Sequence, residues 1–275
     1  MTSPGLEDET AAPRIIAIAN QKGGVGKTTT AINLATALAA CRKRVLIVDL
    51  DPQGNASTGL GLATTGRGPG TYAVLMGEVS LADGVRTTAV DFMDILPSTV
   101  DLLGAELELV AEQGRETRLR DAFAGETGGW DYILIDCPPA LGLLTLNALI
   151  AASGVLVPLQ TEFYALEGLS HLLRTVERVR GVFNPDLDII GVVLTMYDRR
   201  NNLSEMVARD VRAYMGERVY NTVIPRNVRI SEAPSHGKPV LLYDVRSPGA
   251  QAYIHLAGEL LRRLEGRPPV TAIAS

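Results

Sequence analysis

The chain is poor in sulfur and in aromatic rings. Cys41 and Cys137 are its two cysteines in 275 residues, far apart and in no C-x-x-C spacing. That excludes a disulfide framework and a thiolate zinc cage, and it fits a reducing cytoplasmic setting. His171, His236 and His255 are scattered, with no metal-ligand spacing. Aromatics make up 5% against a hydrophobic fraction of 46%, so the core must be aliphatic and alanine-rich. No apolar run reaches the roughly 18 residues that a membrane-spanning helix needs. The N-terminus is acidic and polar, without the basic-then-apolar order of a signal peptide. Residues 1–13 read as a disordered leader and 266–275 as a flexible tail. The stretch 14–265 between them suits one α/β domain.

Positive charge is also scarce. The net charge is −5, which by itself argues against a nucleic-acid binder. The distribution is uneven, however. Residues 190–275 hold 12 Lys/Arg and 8 Asp/Glu, a balance of +4, so residues 1–189 carry −9. A local anion-binding face in the last third is compatible with that asymmetry.

What is present is an alternation of short apolar runs with helical patterns. Strands are expected at Arg14–Ala19, Arg44–Asp49, Asp91–Leu96, Tyr132–Asp136, Gly154–Pro158 and Ile189–Thr195. Helices are expected at Thr28–Ala40, Leu102–Glu112, Glu116–Ala124, Leu143–Ala152, Leu166–Arg180, Leu203–Met215 and Gly249–Leu264. Several strands are apolar throughout, as strands buried on both faces must be. The order predicts a mostly parallel sheet with helices on both faces, and ligands at the carboxyl ends of its strands. Gly66–Gly70 reads as a turn-rich surface loop, and Trp130 and Cys137 read as packing.

The most informative stretch is Asn20-Gln21-Lys22-Gly23-Gly24-Val25-Gly26-Lys27-Thr28-Thr29, between the first strand and the first helix. Glycines let the backbone wrap a phosphate, so Gly23, Gly24, Val25 and Gly26 can aim N–H groups inward. The helix beginning at Thr28 and Thr29 adds its positive end. Lys27 would bridge the terminal phosphates, and the Thr28 hydroxyl would ligate Mg²⁺. Asp49 and Asp51 follow the second strand, and Asp136 ends an apolar run in the manner of a Walker B element. Asp136 can hold Mg²⁺ through a water molecule. Asp51 is better placed to position the attacking water. Thr28, Asp51 and Asp136 are therefore the expected surroundings of the metal.

Lys22 fits no ordinary phosphate loop. Lys22–Thr29 is the deviant Walker A motif, and Ile15 to about Leu264 resembles the ParA/Soj chromosome-partitioning ATPases, relatives of MinD. Asp49-Leu50-Asp51-Pro52-Gln53-Gly54-Asn55, Asp136-Cys137-Pro138-Pro139, Ala165-Leu166-Glu167-Gly168-Leu169 and the block Ile224–Pro239 carry the likeness beyond the loop. It resembles the chromosomal type: the large plasmid-type proteins carry an N-terminal DNA-binding domain, which the thirteen residues before the first strand are not expected to hold. The resemblance implies a single-domain P-loop ATPase that takes ATP and Mg²⁺ and hydrolyses slowly. It implies a homodimer when ATP-bound, in which Lys22 reaches the partner's phosphates and Gly23 faces the partner's loop. It places Pro225 and Asn227 around adenine. It implies nonspecific binding of double-stranded DNA through Arg200 and Arg229, with Lys238 and Arg246 as weaker candidates. Read from charge alone, these arginines are solvated surface residues. It also implies a nucleoid location and a ParB-type centromere-binding partner whose basic N-terminal segment stimulates hydrolysis.

Three rivals fit less well. A MinD-like membrane-cycling ATPase needs a basic amphipathic C-terminal helix, whereas Arg262-Arg263 runs into Glu265-Gly266-Arg267-Pro268-Pro269. An iron–sulfur reductase needs two cysteines near a dimer axis, and Cys41 lies at the far end of the first helix. A metabolic ligase should show a small-molecule pocket signature, and none is evident.

Overall fold

The computed structural model describes residues 12–266. The leader and the tail lie almost wholly outside those residues. Eight strands form one sheet: β1 (Arg14–Ile18), β2 (Val45–Asp49), β3 (Arg86–Thr87), β4 (Met93–Leu96), β5 (Tyr132–Asp136), β6 (Gly154–Gln160), β7 (Asp188–Tyr197) and β8 (Val219–Pro225). Their spatial order is β3-β4-β2-β5-β1-β6-β7-β8. Every pairing is parallel except β3 with β4. The chain leaves β1 toward β2 on one side and later crosses to β6 on the other. The exit of β1 is therefore a topological switch point, where parallel sheets hold ligands.

The helices follow from what precedes them. After β1 comes α1 (Lys27–Ala40); after β2 come α2 (Asn55–Gly59), α3 (Gly70–Met76) and α4 (Leu81–Gly84). After β4 come α5 (Leu102–Glu108) and α6 (Arg118–Phe123), and α7 (Leu143–Ala151) follows β5. Then α8 (Ala165–Val182) follows β6 and α9 (Asn202–Met215) follows β7. Last come α10 (Val228–Glu232), α11 (Val240–Tyr243) and α12 (Pro248–Glu265).

Alternate residues of each strand feed two cores. Ile16, Ile18, Ile47, Leu134 and Leu156 pack under α1 and α12. Ala17, Val48, Ile135 and Val157 pack on the opposite face with α7 and α8. Burial on both sides explains why the strands read as unbroken apolar runs. Alanines at 31, 35, 37 and 39 are buried along α1, and their small side chains let this helix lie close to the sheet.

The six expected strands and seven expected helices are all present, with shifted ends. The helix expected over Leu102–Glu112 stops at Glu108 and tightens into a 3₁₀ turn at Leu109–Ala111. The one over Glu116–Ala124 shrinks to Arg118–Phe123. The strand β8 was not legible, because Asn221 and Thr222 interrupt its apolar run and Pro225 ends it. It is an edge strand, where such residues are tolerated. The reading of Gly66–Gly70 as a surface loop needs correction. Arg67 inside it is 5% exposed, and Gly70 begins α3. Trp130 behaves as expected, donating from Nε1 to Asp94 at 2.9 Å.

Candidate active site

The loop between β1 and α1 is built from inside the sheet outward. Asn20 is 2% exposed; its amide donates to the Pro158 carbonyl at 2.8 Å, and its Oδ1 accepts the Lys22 N–H at 3.0 Å. Gly24 and Gly26 have φ of +74° and +91°, a backbone region that side chains resist. From that left-handed position the Gly26 carbonyl accepts the Thr30 N–H at 2.9 Å. The Thr195 hydroxyl of β7 donates to the Val25 carbonyl at 2.8 Å and pins the loop from the other side.

Gly23 differs from its neighbours. It has no left-handed φ, and a Cβ placed on it would meet nothing within 4 Å. Nothing among the described residues requires glycine there.

Lys27 is 6% exposed and its Nζ donates to the Lys22 carbonyl at 2.9 Å. Burial pushes its amine below the usual value, with Asp136, Cys137 and Asp51 opposing. Lys22 takes the opposite direction. Its side chain is 43% exposed and its Nζ ion-pairs with Glu162 on the loop after β6.

The carboxylates gather at the ends of β2 and β5. Asp49 and Asp136 are register partners on these adjacent strands, and both are fully buried. Asp49 Oδ2 accepts the Ser57 N–H at 2.8 Å and the Ser57 hydroxyl at 2.6 Å. Asp49 Oδ1 and both oxygens of Asp136 make no well-formed hydrogen bond. Burial pushes Asp49 up to about 6, with the Ser57 bonds and Arg67 opposing and Asp51 adding. Burial, then the Asp49 charge, drives Asp136 well above the carboxylate range, and the neighbouring Thr28 hydroxyl and Lys27 oppose this. Buried carboxylate oxygens without donors fit a cation. Among the described residues no group of three His, Cys, Asp or Glu forms a cage. That suits Mg²⁺, which takes one or two carboxylates and completes its shell with phosphate and water. Asp51 is 7% exposed, and its Oδ1 accepts the Gln53 N–H at 3.0 Å.

Two adjoining cavities open here. One of ≈ 510 Å³ is lined by Gly23, Gly24, Gly26, Lys27, Thr28, Thr29 and Asp51. The other, ≈ 340 Å³, is lined by Gly26, Thr29, Thr195, Met196, Pro225, Asn227 and Tyr253. Gly26, Thr29 and Met196 border both. Met196 has φ +51°, an uncommon conformation for a side-chain-bearing residue. Asn227 caps α10, its Oδ1 accepting the Arg229 N–H at 3.1 Å, which leaves its NH₂ group for the cavity.

Residues 13–189 match a family model described as an AAA domain. The chromosome partitioning protein ParA of Caulobacter vibrioides is 60% identical over 92% of this chain and 96% of its own length. The chain belongs to the ParA/Soj family of chromosome-partitioning ATPases. The sporulation initiation inhibitor protein Soj of Bacillus subtilis is 54% identical, covering 90% of this chain and 98% of its own. A Mycobacterium smegmatis structure solved with an ATP analogue and magnesium, under the name cobyrinic acid a,c-diamide synthase, is 41% identical. It covers 93% of this chain and 97% of its own, with a TM-score of 0.83.

Within this ParA/Soj chain, the loop residues Gly23 to Thr29, Asp51 and Asp136 converge on one end of the sheet, with Pro225 and Asn227 beside them. The two arginines expected at DNA lie elsewhere and carry partners. Arg200 is 91% exposed on its side chain and holds Asp198 with two bonds of 3.1 Å. Arg229 pairs with Glu232 at 2.8 Å and Asp244 at 3.5 Å. Arg199, Arg226, Lys238 and Arg246 are exposed, and Lys238 also lines the cavity at the glycine loop. Residues that sequence reasoning passed over include Glu162, Thr195, Met196 and the role of Asp49. Only Asp49 carried a signal, as the first carboxylate of Asp49-Leu50-Asp51. Cys137 is buried and its thiol is pushed up by burial and by Asp136, in keeping with packing.

Proposed function

We propose that this ATPase is a dimer switch that binds DNA nonspecifically while it holds ATP, and that it segregates DNA with a ParB-type partner. The observation that carries the reading is Gly23. A side chain at Gly23 would meet no described atom of its own protomer, so any clash at that position has to come from another chain. A facing copy of the same loop supplies one, and Lys22, exposed on that loop, becomes a cation for the partner's phosphates. A lysine given in trans stabilises charge in phosphoryl transfer as arginine fingers do.

The chain takes Mg·ATP in this reading, consistent with the ligands of the M. smegmatis relative. Thr28 and Asp136 would hold Mg²⁺, which neutralises charge on the β- and γ-phosphates when bound. Lys27 swings from the Lys22 carbonyl to the phosphates, a short step along the same loop. Asp51, anchored by the Gln53 N–H, orients the attacking water. Pro225 and the Asn227 amide flank the base. Hydrolysis is slow until the partner's basic segment engages.

Raised carboxylate affinities for protons set a pH dependence. Protonation of Asp49, which burial pushes up to about 6, removes negative charge beside the site, and Asp136 is pushed up in the same direction, so the site loses its pull on Mg²⁺ as pH falls. The gain in ADP affinity that Mg²⁺ confers should shrink roughly tenfold between about pH 7.5 and 5.5. Calorimetry with and without Mg²⁺ at both values checks this, and an unchanged gain rejects these carboxylates as the cation's surroundings.

DNA contact rests on Arg200 and Arg229, with Lys238 and Arg246 adding weaker charge. Each arginine must trade a surface ion pair for a phosphate. Exposed pairs of this kind are weak, so the exchange costs little. A monomer offers few contacts and a dimer doubles them. DNA co-sedimentation with no nucleotide, ADP, ATP and a nonhydrolysable analogue tests the proposal at two salt concentrations. Retention should require ATP or the analogue and fall steeply with salt. Gly23→Val should bind ATP yet stay monomeric and unretained. Arg200→Ala with Arg229→Ala should dimerise and go unretained. Nucleotide-independent retention, or retention of both variants, rejects the switch. None of the described helices is long and apolar enough to cross a membrane. The location implied is the nucleoid.

A further inference from the structure

Arg67 is the least expected buried charge in the protein. It is 5% exposed, and its hydrogen bonds all go to neutral oxygens. Nη1 donates to the Ser98 carbonyl at 2.9 Å, just past β4. Nη2 donates to the Thr58 hydroxyl at 2.7 Å and to the Leu62 carbonyl at 3.4 Å. Burying a guanidinium without a bonded carboxylate is costly, so its presence asks for a reason.

The bonds beyond Arg67 supply one. Thr58 Oγ1, having accepted from Arg67, donates to the Gly54 carbonyl at 3.0 Å. The Gly54 N–H in turn donates to the Asp51 carbonyl at 2.9 Å. Gly54 sits at φ +62° directly against the guanidinium: a Cβ there would come within 2.2 Å of Nη1. The turn that carries Asp51 is thus braced by the arginine through one hydroxyl and one close contact. The far end of the brace is itself tied down by hydrogen bonds. The Ser98 N–H donates to Ser57 Oγ at 3.1 Å, and Ser57 holds Asp49 at the end of β2.

We infer that Arg67 is a positioning residue for hydrolysis, acting through Thr58 on the turn Asp51–Gly54. This rests on the reading of Asp51 as the residue that orients water. A water held about 1 Å out of line costs turnover far more than it costs nucleotide affinity. The chain of donors also predicts that Arg67 and Thr58 act as one unit.

The test uses the full chain and steady-state ATPase measurements on Thr58→Val, Thr58→Ser, Arg67→Met, the Arg67→Met/Thr58→Val double variant and Asp51→Asn. Thr58→Val is nearly isosteric and is a smaller change than Arg67→Met, which removes the buried guanidinium itself. It should lower kcat about tenfold with KM within about twofold, the pattern of lost transition-state positioning. Thr58→Ser keeps the hydroxyl and should recover most of the turnover. The double variant should be no slower than the slower single variant, because both break one path. Wild-type kcat in Thr58→Val, a parallel rise in KM, or additive losses in the double variant overturns the brace. If Asp51→Asn loses turnover while Thr58→Val keeps it, the brace fails and the Asp51 reading stands. If Asp51→Asn turns over normally, the Asp51 reading fails and the brace has nothing to position, so both are overturned.

Discussion

Lys27→Ala should remove most nucleotide affinity while leaving the fold in place. The amine is buried at the mouth of α1 among Asp136, Asp51 and the loop carbonyls. Lys238 also lines this cavity, but Lys27 is the lining lysine that comes from the glycine loop. A charge-assisted bond contributes about 1.5–3 kcal/mol, and Lys27 would reach two phosphates at once. The expected loss is therefore about 100-fold or more in ATP affinity, read by calorimetry or by displacement of a fluorescent analogue. Stability should not collapse. Burial opposes the charged amine, and alanine removes that cost along with the bond to the Lys22 carbonyl. Undiminished ATP affinity would sink the phosphate assignment for the whole loop.

Asp51→Ala should separate binding from turnover. Asp51 lines the phosphate cavity but makes one local bond, to the Gln53 N–H. Removing it deletes a negative charge near the triphosphate, so affinity should hold or rise slightly. Turnover should fall by roughly 10²–10⁴-fold, the usual contribution of a group that handles the attacking water. The variant should then accumulate as an ATP-bound dimer. Rapid-quench ATPase assays and sedimentation on the same sample give both halves of the result. Hydrolysis within a few-fold of wild type rejects the role of Asp51.

Where the sequence was informative, the reason is periodicity and punctuation. The runs at β2 and β5 are apolar without break and end in aspartate, so both strand and site were legible together. The loop before α1 was legible because glycines at positive φ have few alternatives. The rest depended on neighbours distant in sequence. Thr195 reaches Val25 across 170 positions, and Glu162 meets Lys22 from the loop after β6. Arg67 lay in a stretch whose glycines spoke only of turns. Its burial follows from the approach of Ser98 and Thr58, which no local pattern encodes. A short helix such as α2 has too few residues to show a periodic stripe.

Gly23 offers a way to separate two kinds of selection. A residue there other than glycine has open room in the protomer. A mutational scan that reads cellular abundance should pass almost every replacement at this position. At Gly26, where φ is +91°, the same scan should reject most of them. A scan that reads faithful inheritance should score the two positions alike. The gap between those two maps would outline the surface that belongs to the pair of chains rather than to either one.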